Sequence, residues 1–215
     1  MNAQAHSLAA PPVADDSSKR RQIIQGARTV FLAQGFDAAS MSDIARAAGV
    51  SKGTLYVYFT NKEELFSAIV HEECLFHAES AFAFDHADSD VAGTLTRLGI
   101  AYINFLCSPE KSSALRTVIA IADRMPEIGK LFYETGPAVG IAKLAAYLTA
   151  QNAAGVVAIE DCEVAAAQFL DACQAMLFKP VLFNFRAAPD AKATAYVVGI
   201  AVTAFVRAYG AGGRN

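Results

Sequence analysis

Apolar residues in the first third of the chain recur at steps of three and four. Ile23, Ile24, Ala27, Val30 and Phe31 share one face and predict a helix from Ser17 or Ser18 to about Gln34, closed by Gly35 in a left-handed conformation. Phe36 to Ala39 crosses to a short second helix, capped by Ser40 or Ser42, with Ile44, Ala45 and Ala48 facing inward. Gly49-Val50-Ser51 reads as a tight turn, because glycine admits a positive φ, Val50 fills the angle between helices and Ser51 caps the next helix. Ser51 to Tyr58 is then the second member of a helix-turn-helix, anchored by Leu55 and Phe59. Thr60-x-x-Glu63 and Asn61-x-x-Glu64 are overlapping capping boxes that open a long helix running to about Phe84.

Beyond a polar break at His86 to Asp90, Asp90 caps a helix carrying Leu95, Leu98, Tyr102 and Phe105. Ser108-Pro109-Glu110 opens the next, which ends near Met125 because Pro126 suits a helix start. A further helix to about Asn152 is kinked or split at Gly136-Pro137, and Gly155 ends it. The last two helices run from Cys162 to Phe183 and from Ala191 to Tyr209, closed by Gly210. Ala166, Leu170, Cys173, Leu177 and Val181 form a stripe on the first; Ala195, Val198, Val202, Phe205 and Tyr209 form one on the second. Both helices are also apolar away from these stripes, at Phe169, Met176, Val197 and Ala201, which implies burial on more than one side. The expectation is a twofold homodimer with a four-helix interface built from the two stripes.

The fold class expected is therefore all-α. Residues 1–17 read as a disordered arm, 18–64 as a helix-turn-helix domain of three helices, and 65–215 as a helical domain that carries the dimerisation stripes. A length of 215 residues suits one or two domains.

Charge sharpens this division. The whole chain carries a net charge of -3, yet seven basic residues face four acidic ones between Ser17 and Phe66. A basic head on an acidic body suits docking on phosphate. The four cysteines, Cys74, Cys107, Cys162 and Cys173, make no CxxC pair and read as reduced thiols of a cytoplasmic protein. The N-terminal stretch is a poor secretion signal, and the charge-free run from Ala193 to Val206 falls short of the ~20 residues of a membrane helix, so no membrane partner is expected.

On the second helix of the motif, Lys52, Gly53, Thr54, Tyr56 and Tyr58 project from or lie near the open side. Lys52 and Ser51 at the helix start suit phosphate or guanine, Gly53 permits close backbone approach, and Thr54 suits a base edge or a thymine methyl. The tyrosine hydroxyls reach phosphate oxygens, as does Lys62 in the first turn of the next helix. Ser42 and Arg20 complete the DNA-contact set. For Lys19-Arg20-Arg21, a solvated helix start and phosphate or minor-groove contact both stand.

Phe76, Tyr102, Phe105, Met125, Phe132, Tyr133 and Phe178 are candidates to line an apolar ligand cavity, each also readable as plain core. Arg124 and Glu134 either orient a ligand or pair at the surface. His71, Cys74 and His77 spread too far around their helix for a metal set and lack the HExxH spacing, so no metal is assigned. With no phosphate-cradling glycine loop and no nucleophile elbow, neither a catalytic residue nor a cofactor is expected.

The run Ile44-Ala45-Arg46-Ala47-Ala48-Gly49-Val50-Ser51-Lys52-Gly53-Thr54-Leu55-Tyr56, followed by Tyr58-Phe59 and Asn61-Lys62-Glu63-Glu64-Leu65, closely resembles the DNA-binding domain of TetR/AcrR-type transcriptional repressors. The resemblance covers about Lys19 to Val70, with Thr60 standing where proline or glycine is common. Ala122-Asp123-Arg124-Met125-Pro126-Glu127 and Phe132-Tyr133-Glu134 are similar to the AefR-like branch of ligand domains. The resemblance implies a homodimeric repressor on a palindromic double-stranded DNA operator, released by a small hydrophobic effector that shifts the helix following Thr60. A DNA-binding regulator whose body senses oxidation or a protein partner is the alternative.

Overall fold

The computed structural model describes residues 13–81 and 85–211, with side chains at 17–72 and 85–211. All regular elements among these residues are helices, and the fold is all-α. The chain divides into two compact units, the first ending at Ile69 and the second starting at Val70.

In the first unit, α1 (Val13–Ala38) starts at Val13, earlier than the serines suggested. The expected arm otherwise lies outside the described residues. Gly35 interrupts α1 with φ 77° and ψ 169°, so its backbone is left-handed in φ but extended in ψ. α2 (Met41–Ala47) is capped by Ser40, whose Oγ accepts the Asp43 N–H at 3.1 Å. Gly49 makes the turn at φ 63°. In α3 (Lys52–Tyr58), Ser51 Oγ accepts the Thr54 N–H at 3.0 Å.

α4 (Lys62–Ala81) opens with Asn61 Oδ1 accepting the Glu64 N–H at 2.7 Å. The Glu64 carboxylate accepts in turn from the Thr60 N–H and Oγ at 2.7 and 2.8 Å. Phe31, Phe36 and Phe66 form an aromatic cluster with ring centres 5.2 to 5.6 Å apart, which ties both parts of α1 to α4. α1 meets α2 at Gly26, where a Cβ would stand 2.6 Å from the Ala48 backbone. Gln22 Nε2 then donates to the Ala48 carbonyl at 2.6 Å, satisfying an open carbonyl at the end of α2.

The second unit contains α5 (Val91–Leu106), α6 (Pro109–Ala122), α7 (Pro126–Thr135), α8 (Pro137–Ala153), α9 (Cys162–Gln174), α10 (Phe178–Leu182) and α11 (Ala191–Tyr209). Asp90 caps α5, and Pro109, Pro126 and Pro137 each take the first position of a helix. Gly136-Pro137 thus splits two helices. The expected continuous helix from Cys162 to Phe183 instead breaks at Met176, which adopts φ 61°, leaving α9 and α10 as separate pieces.

α11 packs on α5 and α9, and α8 on α9. Tyr147, Leu144, Leu95, Ile103 and Phe169 lie at the centre of this core, and Phe169 meets Phe205 edge-on at 5.7 Å. The 85–90 segment is held by the Tyr147 hydroxyl donating to Asp88 O at 2.8 Å and Gln151 Nε2 donating to His86 O at 2.9 Å. α11 is long and apolar enough to cross a membrane by length and composition alone, but Thr194, Val198, Ala201, Val202 and Phe205 bury one face of it in this unit.

Candidate nucleic-acid interface

Two turns of α3 separate an inner from an outer face. Leu55 and Phe59 are buried against the first unit, fixing the helix about its own axis. Lys52, Gly53, Tyr56 and Val57 are exposed, Thr54 and Tyr58 half-buried. Val57 was not among the expected contacts, yet at 80% exposure it is the most open large apolar side chain of this unit's described residues. Its signal was available, since at about 100° per residue position 57 points away from both anchors.

The start of α3 is built by short-range bonds. Ser51 and Thr54 hydroxyls are 2.8 Å apart, so both expected contact residues also organise the helix start. Ser42, second in α2, is exposed. Asp43 accepts from the Ser40 hydroxyl and from Arg46, which hold its carboxyl below the usual range, the Ser40 bond contributing most. Arg20 is exposed with its guanidinium 5.2 Å from the centre of the Phe59 ring, placing it beside the end of α3.

Lys62 is engaged within the first unit. Its ammonium donates to the carbonyls of Phe36, Asp37 and Ala39 at 3.0, 3.1 and 3.4 Å and stands 4.7 Å from the centre of the Phe36 ring. These carbonyls have no helical partner at the end of α1, so a cation there is satisfied within the protein. Lys62 braces α1 against α4 within the first unit.

The expected ligand set is dispersed within the second unit. Phe178 is buried in the core, and half-buried Tyr102 packs against that core with its hydroxyl accepting from Gln174 Nε2 at 3.1 Å. Burial raises the Tyr102 pKa. Phe105 lies under the Lys111 ammonium at 5.5 Å, while Met125 and Phe132 are half-buried. Tyr133 is exposed to 57% and is not a lining residue of an interior cavity; the Phe76 side chain lies outside the described residues. Glu134 pairs with Lys130 at 3.8 Å on the surface. Among the described residues no cluster of acidic, His and Cys groups is arranged to hold a metal, and the Cys74 and His77 side chains lie outside them.

The stripes assigned to a subunit interface are also corrected. Ala166, Leu170, Cys173, Leu177, Val181, Val198, Val202 and Phe205 are all buried in the chain's own core, and Tyr209 is half-buried with its hydroxyl donating to Gln168 at 3.1 Å. The faces left open carry Val164 on α9 and Tyr196, Ile200 and Val206 on α11, with Met176, Phe183 and Phe185 in the connections. An open groove of about 620 Å³ runs along α11 past Ala195, Gly199, Thr203 and Arg207.

Two family models match the chain. A family model described as bacterial regulatory proteins, tetR family, matches residues 23–69, and one described as AefR-like transcriptional repressor, C-terminal domain, matches residues 93–211. The chain is similar to the crystal structure of a TetR-family protein from Mesorhizobium loti, with 29% identity and a TM-score of 0.84 over 90% of this chain and 98% of that one. It is similar to the flavonoid-responsive regulator FrrA, with 30% identity and a TM-score of 0.78 over 90% and 98% of the two chains. It is 30% identical to the HTH-type transcriptional regulator TtgR of Pseudomonas putida over 101 residues, 46% of this chain and 48% of that one. The matched segments thus span about half or less of the length of such curated relatives.

Proposed function

Because this chain belongs to the TetR family of DNA-binding transcriptional regulators, we propose that it is a repressor that binds a near-palindromic operator as a homodimer and releases it on taking up a small hydrophobic molecule. The observation that carries this reading is the outer face of α3, where Lys52, Gly53, Tyr56 and Val57 are exposed while Leu55 and Phe59 hold the helix from behind. Each subunit lays α3 in a major groove, and the two half-sites lie about 34–36 Å apart or a multiple of that. Phosphate contacts from Lys52 and Tyr56 supply affinity without sequence information.

The open apolar face of α11, centred on Tyr196 and Ile200, supports a second copy of the chain as partner. The effector is small and apolar, entering the second unit near Tyr102 and Phe178, and the response named for FrrA supports an aromatic compound. A 100-fold loss of DNA affinity requires about 2.7 kcal/mol of coupling between effector and operator.

The buried thiols Cys107 and Cys173 argue against oxidation sensing at those two positions. Burial pushes Cys173 up to about 12 and raises Cys107, and a thiol held protonated is a poor target for oxidants. Such cysteines also suit the cytoplasm, where we place the protein.

The test is selection of bound duplexes from a random-sequence library, followed by footprinting and sedimentation of the complex. A palindromic consensus bound by two chains is expected; a failure to enrich any sequence removes the reading. Thermal shift with flavonoids and other hydrophobic compounds tests the effector, because a ligand raises stability by mass action.

A further inference from the structure

We infer that Val57 is a specificity-determining residue that reads the 5-methyl group of a thymine. The inference rests on the proposed docking of α3 in a major groove. Gly53 and Val57 stand one helical turn apart on the side opposite Leu55 and Phe59, so they are the foremost positions of the helix.

Neither residue is explained by the chain's own packing. A Cβ added at Gly53 would meet nothing nearer than Ser51 Oγ at 3.8 Å, and the residue has no positive φ that would demand glycine. A glycine inside a helix still costs about 1 kcal/mol against alanine. Val57, a β-branched residue of lower helix preference, exposes 80% of its surface. The pair therefore makes a bare stretch of backbone followed by an aliphatic tip.

The chemistry of that tip selects its target. Valine has no hydrogen-bonding group, so phosphate oxygens and polar base edges offer it nothing. In the major groove the thymine methyl is the apolar group that a base edge displays, and Gly53 allows the helix to come close enough to meet it. Lys52 and Tyr56, exposed one turn apart along one flank of this ridge, supply the polar contacts that hold the helix in register.

The test uses the duplex that the full-length wild-type protein enriches from a random library. Each thymine of a half-site is replaced in turn by deoxyuridine, which removes only the methyl group. Affinities are measured for wild type, Val57→Ala and Val57→Thr. For wild type, one position per half-site is expected to lose roughly fourfold in affinity, the effect of one buried methyl group. Val57→Ala abolishes that sensitivity while leaving the other positions as they were, and Val57→Thr, which keeps a methyl, retains part of it. Thermal midpoints of both variants do not fall much below the wild-type value, and that of Val57→Ala rises slightly, since position 57 supports no core and alanine favours the helix more than valine does. The inference is overturned if no position responds to methyl removal, or if the response persists in Val57→Ala. Should wild type enrich no duplex, the DNA-binding reading itself fails, and the inference with it.

Discussion

The ammonium of Lys62 lies 3.0 Å from the carbonyl oxygen of Phe36 and donates to it, joining the first residue of α4 to the end of α1. A charged donor on helix-end carbonyls contributes about 1–3 kcal/mol when its partners would otherwise be open. Lys62→Met is therefore expected to destabilise the protein by that amount in denaturant melts. Salt titration of DNA binding separates this role from phosphate contact: Lys52→Ala lowers the slope of log affinity against log salt by about 0.9, whereas Lys62→Met leaves it unchanged.

Two glycines of the first unit predict opposite outcomes. At Gly26 a methyl group collides with the Ala48 backbone at 2.6 Å, and Gly26→Ala is expected to destabilise by about 1–3 kcal/mol. At Gly53 the methyl group enters open space, so Gly53→Ala raises stability by up to about 1 kcal/mol while weakening DNA binding. Thermal melts and operator titration of the two variants check this pair.

The Glu64 carboxyl is held below its ordinary value of 4.5 chiefly by the Thr60 N–H, with the Thr60 hydroxyl adding to it. Its contribution is fully present above 4.5 and is lost as pH falls through the lower folded value. The difference in thermal midpoint between wild type and Glu64→Gln should shrink as pH falls below 4.5. A difference that grows on acidification would contradict the assignment.

If the proposed dimer forms on the open face of α11, that face and the buried one separate assembly from folding. Ile200→Arg, on the 54% exposed side, should yield monomers in sedimentation at micromolar concentration with helix content intact. Leu170→Ala, in the core, should lose about 2–5 kcal/mol of stability and leave the assembly state of the folded protein unchanged.

Local chemistry was legible wherever it decided the backbone. Ser40, Ser51 and Asp90 cap helices as their side chains allow, and Pro137 divides two helices because proline cannot continue one. The stripes on α9 and α11 could not be placed by periodicity, since a helix apolar on two sides does not announce which side meets its own core. Lys62 looked free because its partners are 23 to 26 residues away, reached only once α1 and α4 pack together. Val57 was passed over because a valine in an apolar helix reads as interior, though Leu55 and Phe59 already fix the inner face. The break at Met176 carries no glycine or proline to mark it.

Leu55 and Phe59 hold α3 from one side while Gly53 and Val57 face away, and Val198 and Val202 hold α11 while Tyr196 and Ile200 face away. Mutational drift at the outward positions is consequently decoupled from folding. Under the proposed function, a duplicated copy of this chain could exchange the base preferred at Val57, or the pairing partner at Tyr196 and Ile200, by single substitutions that leave the scaffold intact. Divergence into paralogues that ignore each other's sites and each other's subunits is thus open to it without passing through unfolded intermediates.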